Sequence, residues 1–191
     1  AKTRERITSK ISSRPFAFFA AIQGGNIIRK IYGHLTGLKP NQIHKLQRVY
    51  RRKVPADQVI TQELANYLSE CSLEIGRQVG VLIDRKGSID YVIVGTQKQI
   101  EIPDLGRFRA GYRRLRGLRC LHTHLTDTKL NRDDLTDLAL LRLDLMGAIV
   151  VSESGYPAKF YLAHLVPENP DNKRWERLSP VLPGQIHLNF L

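Results

Sequence analysis

The stretch Leu118–Met146, LRCLHTHLTDTKLNRDDLTDLALLRLDLM, decides how the whole chain is read. Leu118 to His124 reads as a buried strand. Alternate residues of a strand share a face, so His122 and His124 project together. Leu125 to Asn131 is a loop, and Asn131 or Asp133 caps a helix over about 132–146. Leu135, Leu138, Leu141, Leu143 and Leu145 contribute to its core face. The loop returns the helix start toward the two imidazoles, where an Asp of the first turn can add a carboxylate oxygen. Two His and one Asp with an open fourth position form the ligand set of a catalytic zinc ion. Such an ion activates a bound water while a separate carboxylate moves protons. In the alternative, Asp133 and Asp134 only cap the helix and favour its dipole, while the histidines pack or bind backbone.

Outward from this unit the pattern alternates between helix and strand. Toward the N-terminus, Ile100 to Ile102 reads as a short strand. Val79 to Asp84 and Ile89 to Val94 form a hairpin around Arg85-Lys86-Gly87-Ser88. Before it lies a helix over 61–76, with Thr61 as N-cap, Glu63 in the first turn and Gly76 as stop. An earlier helix runs from Gln42 to Arg52 behind Asn41, with Ile43, Leu46, Val49 and Tyr50 on one face. Toward the C-terminus, Ala148 to Ser152 and Ala158 to His164 form a last hairpin. This order predicts one mixed α/β domain over 58–166. A basic helical segment at 32–57 and a basic arm at 1–31 precede it, and a Pro- and Asn-containing linker at 167–191 follows.

The 191 residues carry 30 Lys and Arg against 18 Asp and Glu, a formal net charge of +12. Residues 1–56 hold 13 of the bases and a single acid, Glu5, so the whole imbalance is N-terminal. Such a segment suits a polyanion, with Lys45, Arg48, Arg51, Arg52 and Lys53 as candidate phosphate contacts and binding that weakens with salt. A solvated basic face is the plain alternative. A second cluster of six arginines runs from Arg107 to Arg119, with Phe108 and Tyr112 interleaved. From it Arg113, Arg114 and Arg116 join the candidate nucleic-acid or ribosome contacts, because Arg forks suit phosphates and aromatic faces stack on bases. Salt bridges to neighbouring acids would account for the same cluster.

Several classes drop out. No apolar run reaches the length of a membrane span. Two cysteines, Cys71 and Cys120, without a CxxC pair give neither a disulfide scaffold nor a Cys-based zinc knuckle, and they fit a reducing, cytoplasmic setting. No GxxxxGK[ST], GxGxxG after a strand, or GxSxG is present, so no nucleotide site is assigned to this chain.

Two resemblances attach to these residues. Leu121-His122-Thr123-His124-Leu125 through Asn131-Arg132-Asp133-Asp134-Leu135 resembles the JAMM signature of MPN and RadC-like domains, and the order of elements over 58–166 resembles that fold. The resemblance implies a three-layer-like mixed sheet, a zinc ion on His122, His124 and Asp134, and a zinc-dependent hydrolase acting on a peptide or nucleotide. Departures from the pattern are Leu125 in place of Pro, Asn131 in place of Ser, and ten residues rather than eleven from the second His to Asp134. The family's proton-moving Glu falls to Glu74, or is replaced by Gln78. The second resemblance is carried by Tyr32-Gly33-His34-Leu35-Thr36-Gly37-Leu38-Lys39-Pro40, Tyr50-Arg51-Arg52-Lys53-Val54-Pro55, Glu74-Ile75-Gly76-Arg77-Gln78-Val79-Gly80-Val81 and Asp133 to Leu145. These blocks resemble the N-terminal extension of long-form HflX GTPases, and Ile186 to Leu191 resembles the start of the usual HflX body. That likeness implies a cytoplasmic, ribosome-associated parent whose GTP and Mg sites lie outside this chain. It implies a non-catalytic binding or regulatory role for the extension, with ribosome or RNA and the parent's own GTPase domain as partners.

Overall fold

Three strands, Val79–Ile83, Arg119–His124 and Leu145–Val151, are buried along their whole length. A strand buried on both faces needs a cover on each side, and the rest of the fold supplies it. The computed structural model describes residues 30–103 and 117–164, together with the backbone of 186–188. In chain order it contains β1 (Ile31–Gly33), α1 (Pro40–Arg48), a 3-10 turn (Val49–Arg51), α2 (Gln62–Ile75), β2 (Val79–Ile83) and β3 (Ile89–Val94). β4 (Arg119–His124), α3 (Arg132–Leu140), β5 (Leu145–Val151), β6 (Pro157–Ala163) and β7 (Ile186–Leu188) follow.

The strands form one mixed sheet in the order β1-β3-β2-β4-β5-β6-β7. β2 is antiparallel to both β3 and β4, β4 and β5 run parallel, and β5 and β6 are antiparallel. β1 and β7 add in parallel at the two edges. The parallel step from β4 to β5 requires a crossover, and α3 provides it. Side-chain alternation then sorts the core into two layers. Val79, Val81, Ile83, Leu121 and Ile149 pack with Leu46 and Val49 of the α1 segment and with Leu64, Leu68 and Cys71 of α2. Leu82, Cys120, Met146, Ala148 and Val150 pack on the opposite face with Leu138 of α3 and with Leu141 and Leu143. The mixed α/β class expected from the sequence is therefore present, with helices on both faces of the sheet.

Several boundaries differ from the sequence reading. α1 begins at Pro40, with Lys39 rather than Asn41 as N-cap. Proline at the first helical position gives up an N–H that has no intrahelical partner anyway, and the Lys39 N–H is taken by Gln42 Oε1 at 2.9 Å. α3 stops at Leu140, well before 146. Arg142 turns left-handed with φ 55°, and Leu143 N–H reaches back to Leu138 O at 3.1 Å, closing the helix end. Leu145, expected on the helix face, instead opens β5. Ile100 to Ile102 forms no strand. Residues 32–57 do not stand in front of the domain but belong to it: β1 joins the sheet, Leu46 and Val49 enter the core, and Tyr50 Oη accepts the Val92 N–H at 2.9 Å. Thr61 and Gly76 delimit α2 as expected, Thr61 by accepting the Leu64 N–H and Gly76 by its left-handed φ of 64°. The arm at 1–29, the arginines 107–116 and most of the linker lie outside the described residues.

Candidate metal centre

β4 feeds side chains to both layers. Thr123 faces α2, where its Oγ1 accepts the Val79 N–H at 2.9 Å and lies 2.7 Å from Ser72 Oγ. His122 and His124 face α3, one on each side of Thr123. Gly80 of β2 sits directly opposite His122. A Cβ at Gly80 would lie 3.0 Å from Ile100 Cδ1 and 3.5 Å from His122 Cβ, so the absent side chain lets Ile100 roof this corner.

The two imidazoles are tilted by 53° with centroids 4.8 Å apart, and their Nε2 atoms lie 2.9 Å from each other. Asp134, from the first turn of α3, places Oδ1 3.4 Å from His122 Nε2. One donor atom from each residue falls within a 4.8 Å cluster, and the residues are 0%, 2% and 7% exposed. Metal bonds of about 2.0–2.1 Å in tetrahedral geometry hold donor atoms about 3.3 Å apart. The nitrogen–nitrogen edge, 2.9 Å, is shorter than this, the His122–Asp134 edge, 3.4 Å, matches it, and every donor pair falls within 4.8 Å.

Each donor is aimed by a local device. His124 Nδ1 lies 2.8 Å from Thr128 O and 3.0 Å from Thr128 Oγ1. A carbonyl only accepts, so Nδ1 carries the proton and Nε2 presents its lone pair to the cluster. Asp134 Oδ2 accepts the Asn131 N–H at 2.8 Å, which leaves Oδ1 toward His122. Burial, with the neighbouring His124, pushes the His122 pKa down to about 3, so its imidazole is neutral. Burial raises the Asp134 carboxyl, and the Asn131 backbone bond opposes that shift. A neutral His122 imidazole, a His124 ring turned with Nε2 inward and a backbone-anchored Asp134 suit a divalent metal.

The remaining sequence-predicted residues are placed elsewhere. Glu74 lies on the exposed side of α2, and its Oε2 is held by Lys45 Nζ at 2.8 Å. Lys45 also bonds Glu70 at 2.6 Å, so this base is already paired within the fold. Arg52 lies 3.6 Å over the Tyr67 ring and 3.3 Å from Glu63, an ion pair without hydrogen-bond alignment. Arg48, Arg51 and Lys53 are exposed. Arg113, Arg114 and Arg116 lie outside the described residues. Arg119 is buried and donates to the carbonyls of Gln58, Val59 and Asp84, which makes it a structural tie.

Comparison with protein-family models, with curated proteins and with solved structures finds no match for this chain. The functional reading therefore rests on the residues themselves. Among the described residues no helix is long and apolar enough to cross a membrane. The sequence reading had no signal for Thr128, whose carbonyl fixes the His124 tautomer. A hydroxyl residue four positions after a strand histidine carries no spacing rule.

Proposed function

We propose that the domain is a divalent transition-metal module of the MPN/JAMM type, holding one zinc-class ion on His122, His124 and Asp134. The observation that supports it is the convergence of two imidazole nitrogens and one carboxylate oxygen in a buried site with local tethers on His124 and Asp134. When bound, such an ion supplies Lewis acidity and a fourth position for water or ligand. Binding rather than hydrolysis is the favoured role. Glu74, the one candidate proton carrier assigned from the sequence, is committed to Lys45, and the buried residue just before β2 is the uncharged amide Gln78. The test is metal analysis and titration of the chain purified without chelator. About one zinc per chain, lost in His122→Ala, supports the reading; no uptake by the unaltered chain ends it. Hydrolysis of peptide or nucleotide substrates that survives His122→Ala would remove the hydrolase alternative.

A second reading concerns the basic segment, and the exposure of Arg48, Arg51 and Lys53 favours it. As part of an HflX-type GTP-binding protein in the cytoplasm, the domain would contact ribosomal RNA through these residues. Affinity for ribosomes or rRNA should then fall steeply with salt. Replacing Arg48, Arg51 and Lys53 together by Gln should flatten that dependence, whereas Lys45→Gln should act through the fold, because Lys45 is internally paired. Salt-independent binding, or none at low salt, would sink it.

A further inference from the structure

Two buried polar atoms, Nδ1 of His122 and Oε1 of Gln78, lack a hydrogen-bond partner among the described residues. Buried polar atoms are nearly always satisfied, so each of these orphans requires a reason. Each atom follows from the surrounding geometry. His122 Nε2 faces only acceptors, the bare Nε2 of His124 and Oδ1 of Asp134. In the metal-free protein the His122 proton therefore sits on Nε2, and the Nδ1 lone pair has no donor among the described residues. Gln78 immediately precedes β2. Gly80 is opposite His122 at the end of the β2–β4 ladder, where the Val79 N–H is taken by the Thr123 side chain at Oγ1. Gln78 lies two residues before Gly80, just past the end of that ladder, with its backbone bonded to Gly95 and Thr96. Strand alternation puts Gln78 on the same sheet face as Gly80 and both histidines. A diagonal pair on neighbouring strands lies within reach of a long side chain. Gln78 is 3% exposed, and its Oε1 can only accept. His124 Nδ1 is already held by Thr128. The one ring nitrogen of the pair left for Gln78 is His122 Nδ1.

We infer that Gln78 is the positioning residue of His122 in the metal-bound state. The inference rests on the metal reading above and deepens it. A metal needs the Nε2 lone pair of His122, so the proton now on Nε2 moves to Nδ1. The ring stays neutral, gains one metal bond and loses none of its protons. That tautomer turns Nδ1 from an unused acceptor into a donor, and Gln78 Oε1 becomes its acceptor. Ligating histidines characteristically donate their second ring nitrogen to such a partner, which fixes ring orientation and raises ligand basicity. Metal binding thus satisfies both orphans in one step. The metal-free site carries two unsatisfied atoms because it is built for the other tautomer.

The test uses the full 191-residue chain and zinc, with Gln78→Leu and Gln78→Glu as variants. Zinc affinity is read by competition with a chromophoric chelator, and imidazole protonation by nitrogen-15 NMR. The unaltered chain should show His122 as the Nε2–H tautomer without zinc and as a slowly exchanging Nδ1–H with it. Gln78→Leu should lose about 10–100-fold in zinc affinity and the protection of that Nδ1–H. Gln78→Glu, which keeps an acceptor at nearly the same length, should restore both. If Gln78→Leu fails to fold, Gln78→Glu still decides: a protected Nδ1–H supports the inference, and an unprotected one overturns it. Equal zinc affinity and an unchanged Nδ1–H in Gln78→Leu overturn the inference and leave the metal reading standing. No zinc uptake by the unaltered chain overturns both.

Discussion

Asn131 and Asp134 hold each other across the first turn of α3. Asn131 Oδ1 accepts the Asp134 N–H at 2.9 Å, and Asp134 Oδ2 accepts the Asn131 N–H at 2.8 Å. Asn131 Oδ1 also takes the Asp133 N–H at 2.7 Å. The reciprocal bond stabilises the helix start, and it also spends one carboxylate oxygen on the backbone so that the other faces His122. Asn131→Ala removes the cap and should cost about 1 kcal/mol of stability in urea unfolding. Because Asp134 also loses an anchor, zinc affinity should fall more than this stability loss predicts. Asn131→Ser, which keeps a cap, should recover most of the stability.

Zinc stoichiometry separates the residues that converge from those that do not. His124→Ala and Asp134→Ala should each reduce zinc from about one per chain toward none. Glu74→Gln should leave it unchanged, since Glu74 binds Lys45. Loss of zinc in Glu74→Gln would return that carboxylate to the centre.

Gly80 sets the space beside His122. Gly80→Val would press on Ile100 and on the His122 Cβ, the atoms that lie 3.0 and 3.5 Å from a Cβ at this position. Overpacking of this kind costs about 1–3 kcal/mol. Thermal unfolding should show that loss without metal, and zinc affinity should drop with it. Leu145→Ala, at the opposite end of β5 beside Arg119, should lower stability without a specific effect on zinc.

The two thiols offer a check on packing. Burial pushes the Cys71 pKa up to about 12 and holds Cys120 well above its ordinary range. At pH 8 the Cys71 thiolate is then roughly one part in ten thousand. Neither thiol should react with a disulfide reagent in the native chain, and both should react at once in guanidinium. Raising the pH toward 10 should increase Cys71 labelling before Cys120 labelling, because Cys120 is the more completely buried.

Much of this was legible in the sequence where a single rule governs a position. Thr61 and Asn131 cap helices through their side chains, and Gly76 stops one through its left-handed backbone. The HxH spacing on a strand puts both imidazoles on one face, and the short loop to Asn131 returns Asp134 to them. Reading failed where two periods coincide. Leu138, Leu141 and Leu145 fit a helix spacing, but Leu141-Arg142-Leu143-Asp144-Leu145 also alternates. The left-handed Arg142 decides for a turn into β5. The basic segment misled for a different reason. Charge marks exposure on α1, yet Leu46 is fully buried and Lys45 is paired with two acids of α2. Pairing between distant segments leaves no local pattern, so the internal use of Lys45 and the orphaned amide of Gln78 emerge only in three dimensions.

The three proposed ligands all come from one strand–loop–helix unit, His122 to Asp134, whereas β2 and Gln78 reach it from about forty positions upstream in the chain. Closure of short segments is entropically cheap and fast, and pairing across long ones is slow. A chain that is still folding can therefore bring the His, His and Asp donors together before the sheet is complete. It can reach full affinity only when β2 docks. Metal capture would then begin on a nascent hairpin-sized unit and tighten as the sheet closes, so that retention of the ion reports completion of the fold.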